Sequence, residues 1–436
     1  MRSIYSRRSF LKRATAVATA PMIVPSYVLG GEAAPSERVR VGCIGVGDRG
    51  SYIMGATLEQ VNAQVVAVCD VKRDRREAAQ ATVNKTYGNS DCAAYNEFEE
   101  LVARDDIDAV TVGSCDHWHV LHALAAVRSG KDVYVEKPLG LTVEQDQVLR
   151  AEVRKHKRMF QFGTQQRSDE KFRRACELVR NGRIGKLHTI NVWSPASVAG
   201  GPTELAPVPE TLDYDRWLGP APAVPYTKER ETNKWWWFIS DYALGFIAGW
   251  GIHPMDIALW GAGSMAKSPV TVEGTGTFPT EGVCNTATDW KVMMTYDSGL
   301  KIDYRAQPAA PEWAQRYGEV AEHGTAFEGS DGWVIVDRRH IKTFPEDLAK
   351  RESGGGDIML YKSDHHIANF IECVRSRKDP VSNIEDSVQG DIACHISDIA
   401  IRLQRKLRWD TLREAFIDDA EANARLTRVM REPWHL

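Results

Sequence analysis

Apolar and polar residues follow one another along the first half of the chain in blocks that predict strands separated by helices. Apolar runs with the length of buried strands occur at residues 39–44, 64–69, 107–112, 133–135 and 160–164. Helical spacing between these runs predicts helices at residues 51–60, 72–85, 95–104, 118–129 and 143–155. Regular alternation of strand and helix indicates a parallel, doubly wound sheet, in which ligands bind at the carboxyl ends of the strands.

The pattern changes after residue 163. Helices are predicted at residues 171–181, 365–375 and 384–406. Apolar positions alternate with polar positions in longer runs, at residues 186–193, 270–278, 290–296, 300–305 and 332–336. Such alternation is typical of a mostly antiparallel open sheet with one covered face. We therefore expect an α/β chain with domains at residues 36–163 and 164–436, which fits its length of 436 residues.

A glycine turn follows the first predicted strand at once, and it carries the clearest chemical signal. Gly45 allows a tight turn, Gly47 lets the backbone approach a pyrophosphate, and Gly50 lets the next helix pack closely on the strand. Unpaired N–H groups at the helix start, near Asp48 and Arg49, favour phosphate. The motif predicts a dinucleotide-binding Rossmann domain at residues 36–163; the alternative is a glycine turn without a ligand.

Asp70 ends the second predicted strand, about 20–25 positions after the first glycine, as this fingerprint requires. Its carboxylate can accept hydrogen bonds from both hydroxyls of an adenosine ribose and would repel a 2′-phosphate, so we expect NAD. Lys72 and Arg73 stand close enough in sequence to soften that preference, and NADP stays the alternative.

Residues 1–35 are expected to lie outside the fold. The run Ser6-Arg7-Arg8-Ser9-Phe10-Leu11-Lys12 resembles a twin-arginine export signal, and the weakly apolar stretch after it contains Pro21 and Pro25. Those prolines make it a poor membrane-spanning helix. We predict periplasmic export of the folded protein with its cofactor tightly bound; the alternative is an uncleaved anchor.

Composition excludes some classes of partner. The chain is 43% hydrophobic and 26% charged, as an ordinary soluble globular protein is. A net charge of −4 gives no electrostatic reason to expect nucleic acid or a membrane surface as partner. The eight cysteines form no CxxC, and no cysteine or carboxylate completes a ligand set with His117, His119 and His122. No metal site is expected.

Four motifs together resemble the Gfo/Idh/MocA oxidoreductases: Asp116-His117-Trp118-His119, Glu136-Lys137-Pro138, Gly163-Thr164-Gln165-Gln166-Arg167-Ser168 and Gly251-Ile252-His253-Pro254-Met255-Asp256. The resemblance runs from about residue 36 to residue 409, and the glutamine-rich motif and the signal resemble an exported branch. It implies a Rossmann domain followed by an α/β domain for substrate binding and oligomerisation. It also implies a nicotinamide cofactor, a sugar or cyclitol substrate and a homo-oligomer.

Lys137 is the first catalytic candidate. It ends a strand before Pro138, which holds its backbone extended. A lysine there can bind a substrate hydroxyl or relay its proton, and burial would lower its pKa toward the useful range. Resemblance matches it to the family's catalytic lysine, and Glu136 is expected beside the nicotinamide; the alternative for Lys137 is a surface position.

His253 is the second candidate, with Asp256 three residues on and therefore on the same helical face, where it could orient the imidazole. The alternative is a core histidine. The family pattern Asp-x-x-x-His-x-x-Asp has its first carboxylate at the position of Gly249, so one relay group is missing. His253 and Lys137 could suffice, or Asp213 or Asp241 could replace it.

The remaining candidates follow strand ends or lie in an aromatic run. Cofactor contacts are expected from Ser114, Asp116, Trp118 and His119. Substrate contacts are expected from Gln165, Arg167, Trp236, Trp250 and His253. The flat faces of Trp235, Trp236 and Trp237 suit sugar rings, although core or subunit-interface roles are the alternative.

The sequence as a whole predicts an exported nicotinamide-dependent oxidoreductase that acts on a sugar or cyclitol hydroxyl. One alternative is an NAD-dependent glycoside hydrolase or lyase that oxidises the sugar transiently. A second alternative is a non-catalytic binding protein that retains the cofactor.

Overall fold

The computed structural model describes residues 37–306, 311–350 and 354–436. The proposed export signal at residues 1–35 lies outside them. Within the described residues, no helix combines the length and the apolar character that crossing a bilayer requires.

The first sheet has six strands, all parallel to their neighbours, in the order β3-β2-β1-β4-β5-β6. They are β1 Val39–Ile44, β2 Ala63–Cys69, β3 Ala93–Tyr95, β4 Ala109–Val112, β5 Asp132–Val135 and β6 Phe160–Phe162. This confirms the predicted doubly wound sheet. The strand order reverses between β1 and β4, so the crevice at their carboxyl ends is the expected ligand site.

Five helices connect these strands: α1 Asp48–Leu58, α2 Arg73–Tyr87, α3 Phe98–Val102, α4 Asp116–Arg128 and α5 Val143–His156. Strong local signals set the ends of α5, where the Thr142 side chain accepts a hydrogen bond from the Gln145 N–H and Lys157 adopts the left-handed conformation. The helix predicted at residues 95–104 is wrong in its first part. Tyr95 belongs to β3 and pairs with Cys69, because edge pairing outweighs the local helical spacing.

The second sheet has nine strands in the order β13-β12-β11-β7-β10-β9-β8-β14-β15. They are β7 Leu187–Ser194, β8 Val270–Thr277, β9 Asp289–Tyr296, β10 Lys301–Ala306, β11 Gly324–Gly329, β12 Trp333–Val336, β13 Ile341–Phe344, β14 Leu407–Asp410 and β15 Ala415–Phe416. Only β7 and β10 pair in parallel, which confirms the mostly antiparallel sheet. Strand β11 was not predicted, because four consecutive buried residues replace the alternating pattern.

The helices of the second half are α6 Glu170–Arg180, α7 Tyr214–Leu218, α8 Phe246–Gly249, α9 Ile252–Ala262, α10 Pro311–Tyr317, α11 His366–Ser376, α12 Ile384–Leu403 and α13 Ala420–Asn423. Short 3₁₀ turns include Gln165–Ser168, Trp236–Phe238, Gly263–Lys267, Glu346–Lys350 and Ala424–Leu426. Helix α11 buries Ile367, Phe370 and Ile371 against the first sheet. Residues 39–436 accordingly form one compact unit.

Candidate active site

The turn between β1 and α1 can be built only with glycine at two positions. Gly45 has φ of +74°, and a Cβ there would lie 2.4 Å from the backbone nitrogen of Ser114. A Cβ at Gly50 would lie 1.7 Å from the carbonyl oxygen of Gly45. The absent side chains let α1 begin directly at the carboxyl end of β1, with its first N–H groups turned toward the crevice.

Asp70 closes this turn from the neighbouring strand. One carboxylate oxygen accepts a hydrogen bond from the Val46 N–H at 2.9 Å, and the other accepts from the Lys72 N–H at 2.8 Å. Burial raises the pKa of Asp70, although these N–H groups oppose the shift. A carboxylate offers about four acceptor positions, so two remain for the ribose hydroxyls that the sequence motif predicts.

A cavity of about 420 Å³ opens in front of the turn. Apart from Gly50, every residue predicted to contact the cofactor lines it: Gly45, Gly47, Asp48, Arg49, Asp70, Ser114, Asp116, Trp118, His119, Glu136 and Lys137. The glycine cradle, the helix start and the acidic Asp70 fit a nicotinamide dinucleotide. Lys72, which was expected to weaken the preference for NAD, pairs with Glu231. The basic side chain that lies beside Gly47 is that of Arg75.

Residues 211–243, here called the cover segment, close one side of this cavity with side chains that the sequence analysis only partly identified. Trp217, Asn233, Trp236 and Trp237 line the cavity from this segment. Asn233 donates to Asp48 at 2.5 Å. These contacts join residues far apart in sequence, and the tryptophan run at residues 235–237 was their only visible signal.

Further hydrogen bonds hold the cover segment to the first sheet. The Trp118 indole N–H donates to the Trp217 carbonyl oxygen at 3.0 Å, and His117 Nε2 lies 2.9 Å from the same oxygen. Asp213, one of the two suggested replacement carboxylates, accepts from Asn96 at 2.9 Å and from the Arg216 N–H. Each of its oxygens is therefore engaged in a hydrogen bond, and Asp213 is not among the described residues that line the cavity with Lys137.

Lys137 extends from the end of β5 into the cavity. Its ammonium group donates to the Gly249 carbonyl oxygen at 2.8 Å and lies 5.4 Å from the centre of the Trp237 ring. Burial lowers the pKa of Lys137, and the negative charges of Glu136 and Asp116 only partly oppose this. A lysine with a lowered pKa next to an open cavity can exchange a proton with a bound hydroxyl.

Asp116 is the first residue of α4. After Glu136, it is the second carboxylate whose charge acts on Lys137. Its side chain is 2% exposed, and its Oδ2 atom has no hydrogen-bond partner among the described residues. Burial raises the pKa of Asp116 well above its usual range, while the charge of Lys137 opposes the shift. Asp116 is thus a buried titratable carboxyl whose charge acts on Lys137.

Glu136 is held by a different cation. Arg49 donates to its carboxylate at 2.9 Å, and the backbone N–H of Lys137 donates at 3.2 Å. Burial favours the neutral acid, but the charges of Arg49 and Lys137 prevail and lower the pKa of Glu136. Glu136 is therefore an anionic anchor that ties the glycine turn to the end of β5.

His119 links two strand ends instead of facing solvent. Its Nδ1 lies 2.7 Å from the Pro138 carbonyl oxygen, and its Nε2 lies 3.0 Å from the Ser114 carbonyl oxygen. Ser114 in turn places its hydroxyl 3.1 Å from Nδ1 of His122. These contacts fix the backbone on both sides of the predicted nicotinamide position.

The expected contact between His253 and Asp256 is not formed. Arg167 donates to both oxygens of Asp256, at 2.8 and 2.7 Å, and its other nitrogen donates to Asp386 at 2.6 Å. His253 Nδ1 is buried without a hydrogen-bond partner among the described residues. The expectation that Arg167 faces the substrate is also corrected, because a guanidinium that is 3% exposed requires carboxylate partners, and it has them.

His253 nevertheless lies near Lys137, on the stretch that follows Gly249. Burial lowers the pKa of His253 well below its usual range, and the charges of Lys137 and Arg338 add to the effect. Its ring lies 5.6 Å from that of Trp250, the other predicted substrate residue of this stretch. Gln165 is half-buried, and its Oε1 has no partner within the described part of the chain.

A second group of titratable residues lies outside the cavity lining. Asp146 of α5 and Asp391 and His395 of α12 are buried, and their ligand atoms lie within 4.8 Å of one another. Burial and the charge of Asp391 raise the pKa of Asp146 well above its usual range. Both oxygens of Asp146, Oδ1 of Asp391 and Nε2 of His395 have no hydrogen-bond partner among the described residues. A proton shared between the two carboxyl groups would relieve their repulsion without a metal ion.

Two family models match the chain. One, described as an oxidoreductase family with an NAD-binding Rossmann fold, matches residues 39–164. The other, the C-terminal alpha/beta domain of the same oxidoreductase family, matches residues 187–436.

Two curated relatives come from Saccharopolyspora erythraea. A glycosyl hydrolase family 109 protein is 41% identical over 113 residues, which are 25% of this chain and 24% of that protein. Inositol 2-dehydrogenase 3 is 36% identical over 149 residues, which are 34% of this chain and 42% of that protein. The chain thus spans 24% of the length of the first relative and 42% of the length of the second.

Solved structures share the fold at low identity. A scyllo-inositol dehydrogenase from Lactobacillus casei, with NAD(H) and scyllo-inositol bound, is 18% identical with a TM-score of 0.58, covering 85% of this chain and 99% of that chain. An oxidoreductase domain protein from Kribbella flavida is 18% identical with a TM-score of 0.61, at the same coverage of both chains. Because the two family models together match most of its length, the chain belongs to the Gfo/Idh/MocA oxidoreductases.

Proposed function

We propose that the protein oxidises or reduces a CH–OH group of a sugar or cyclitol. The observation that carries this proposal is the position of Lys137, which lines the cavity in front of the glycine turn and has a lowered pKa. A bound nicotinamide dinucleotide would supply the acceptor for the hydride that leaves the carbon. Relatives named as inositol dehydrogenases support a polyhydroxylated ring as substrate.

The chain's own residues would handle the proton. Neutral Lys137 accepts the hydroxyl proton as the carbon loses its hydride, and Asp116 stabilises the ammonium that results. His253, neutral because of its burial, accepts or donates a hydrogen bond on the substrate side. Glu136 holds Arg49 and the Lys137 backbone in place during this exchange.

We also propose that the dinucleotide is NAD and that it is retained. Asp70 favours an unphosphorylated ribose, while Arg75 leaves NADP as the alternative. The cover segment supports retention, because hydrogen bonds from Asn233, Trp118 and Asn96 must break before the cavity opens on that side. A retained dinucleotide must be released slowly, because differences in affinity lie mostly in the dissociation rate. The closed cover segment would slow that release.

Export through a twin-arginine signal, and assembly as a homo-oligomer, are parts of the same proposal. Arg7-Arg8 in its surrounding sequence supports export. A protein that leaves the cytoplasm folded has to carry its dinucleotide with it. Changing both arginines to lysine should keep the protein in the cytoplasm; normal periplasmic recovery of that variant would contradict the signal.

The similarity to glycosyl hydrolase family 109 proteins favours a second candidate. In that reaction the oxidised carbon makes the neighbouring C–H acidic, the glycosidic substituent is eliminated, water adds, and the hydride returns to the carbon. Lys137 would take up the hydroxyl proton at oxidation and return it at reduction. The C–H proton would leave with the departing substituent as its alcohol, and the added water would supply the hydrogen and the hydroxyl that replace them, so no net redox change would occur.

One experiment separates these reactions. The purified protein is incubated with a panel of sugars, cyclitols and aryl glycosides, and both the absorbance of reduced nicotinamide and the released products are recorded. A dehydrogenase gives net reduction of the dinucleotide, whereas a hydrolase gives free aglycone without it. A bound dinucleotide that no compound reduces, and no released product, would identify a non-catalytic binding protein and overturn the proposal.

A further inference from the structure

Trp250 lies at the centre of a cluster that leads away from the dinucleotide cavity. The guanidinium of Arg338 stacks 4.8 Å from the centre of its ring, and the His323 ring lies 4.9 Å away. His253 meets the same indole edge-to-face at 5.6 Å. Phe246 and Trp237 continue the aromatic surface toward Lys137, with ring separations of 6.5 and 5.6 Å.

Arg338 has a positive charge without an acidic partner. Within the described residues it makes neither an ion pair nor a hydrogen bond, and its side chain is exposed. Its neighbour Asp337 is turned inward, where its carboxylate accepts from the backbone N–H groups of Ala321, Arg339 and His340. The next residue, Arg339, pairs instead with Glu319 at 3.2 Å.

Further polar groups around Arg338 also lack partners or carry positive charge. His323 Nε2 is buried and has no hydrogen-bond partner within the described chain. Burial lowers the pKa of His323 to about 4, and the charge of Arg338 contributes. Arg49 and Lys137 stand on the same side, and one nearby carboxylate, Glu136, is occupied by Arg49. Asp337, the carboxylate next in sequence, is engaged by the backbone N–H groups already described.

We propose that the substrate carries an anionic group, a carboxylate in the first instance, which Arg338 binds beside Trp250. This inference rests on the proposed oxidoreductase function and narrows its substrate to an acidic sugar or cyclitol. The planar guanidinium matches two carboxylate oxygens at once, and Trp250 holds the guanidinium plane in place from one side. The aromatic surface from Trp237 to Trp250 spans the path between the reacting hydroxyl at Lys137 and this anion.

The test compares matched neutral and acidic substrates, namely glucose with glucuronate and galactose with galacturonate. Galactose 6-sulfate and galactose 6-phosphate test whether Arg338 binds a sulfate or a phosphate group in place of a carboxylate. Wild type, Arg338→Gln, Arg338→Lys and the control Arg339→Gln are measured on each. Arg338→Gln should lower kcat/KM for the acid by about 10- to 100-fold relative to its effect on the neutral sugar, the scale of a lost charge-assisted hydrogen bond. The neutral sugar measures what the lost charge does through His253 and Lys137. Arg339→Gln should behave as wild type.

Equal use of acidic and neutral sugars by the wild type would overturn the inference, as would equal effects of the two glutamine variants. Loss of bound dinucleotide in Arg338→Gln, with an unchanged acid preference, would assign Arg338 to the cofactor and also overturn it. Calorimetric binding separates the two proposals. Arg338-dependent binding of a uronate, with no compound of the panel oxidised, would uphold the anion site and refute the oxidoreductase. Oxidation of neutral cyclitols without uronate binding would do the reverse.

Discussion

The Lys137 ammonium group donates a 2.8 Å hydrogen bond to the carbonyl oxygen of Gly249, at the position where the family pattern has a carboxylate. A backbone oxygen can hold the ammonium but cannot take up a proton at neutral pH. The charges of Glu136 and Asp116 raise the pKa of Lys137, and Glu136 is already paired with Arg49. We propose that Asp116, in the first turn of α4, takes the place of that carboxylate.

Replacing Lys137 with alanine should lower turnover by about 10²- to 10⁴-fold, the usual scale for one acid–base group. Bound dinucleotide should stay near the wild-type amount, because the glycine turn and Asp70 are untouched. Turnover and released nucleotide are measured on the same preparation, with the exposed Lys234→Ala as control. Near-normal turnover in the Lys137 variant would remove this residue from the mechanism.

Replacing Asp116 with asparagine should shift the pH profile of oxidation. The Asp116 charge raises the pKa of Lys137, so its removal lowers that pKa, and neutral Lys137 persists to lower pH. The acidic limb of kcat/KM should therefore move to lower pH. The exposed Asp74→Asn serves as control. If the acidic limb of the kcat/KM profile stays at the same pH, or moves to higher pH, the charge of Asp116 does not raise the pKa of Lys137.

The sequence predicted the parts of the site that are close together in the chain. Gly45, Gly50 and Asp70 act within one strand–helix–strand unit, and their spacing determines their geometry. Lys137 was predictable for the same reason, since it follows β5 directly.

Long-range pairing explains what the sequence did not predict. Helical spacing made Asp256 a partner of His253, but Arg167, 89 residues away, takes both of its oxygens. Arg338 belongs to the turn between β12 and β13, and nothing in its surrounding sequence places it against Trp250. Only folding of the second sheet brings them together.

The buried pair of Asp146 and Asp391 should make stability depend on pH. Because burial and Asp391 raise the pKa of Asp146, the folded chain keeps a proton that the unfolded chain releases above about pH 4. Stability from this group is thus lost as the pH rises. Asp146→Asn keeps a donor and cannot ionise, so the free energy of unfolding of this variant should rise relative to that of wild type as the pH rises above about 4.

Denaturant unfolding at several pH values measures this difference, with the exposed Asp364→Asn as a control that should show none. Asp146→Ala should cost about 1–3 kcal/mol, because it leaves buried polar groups unpaired. If the free energy of unfolding of wild type instead rises with pH relative to that of Asp146→Asn, Asp146 is ionised in the folded protein and a cation must balance its charge.

The cover segment should slow release of the dinucleotide. Asn233→Ala removes the hydrogen bond to Asp48, and Glu231→Gln removes the 3.3 Å ion pair with Lys72. Each change should speed release by about 2- to 10-fold, the scale of one ordinary hydrogen bond. Release is followed by competition with an excess of a fluorescent analogue. Lys234→Ala, at an exposed position of the same segment, should release at the wild-type rate.

The most direct test of the account is to identify what the protein carries. The chain is purified without added cofactor, denatured, and the released material is analysed by mass spectrometry and chromatography. The account predicts close to one NAD or NADH per chain, with the oxidised fraction falling when a substrate sugar or cyclitol is added before denaturation. A protein that arrives empty and works only with a large excess of added NAD would contradict retention, and one that binds no dinucleotide at all would contradict the central claim.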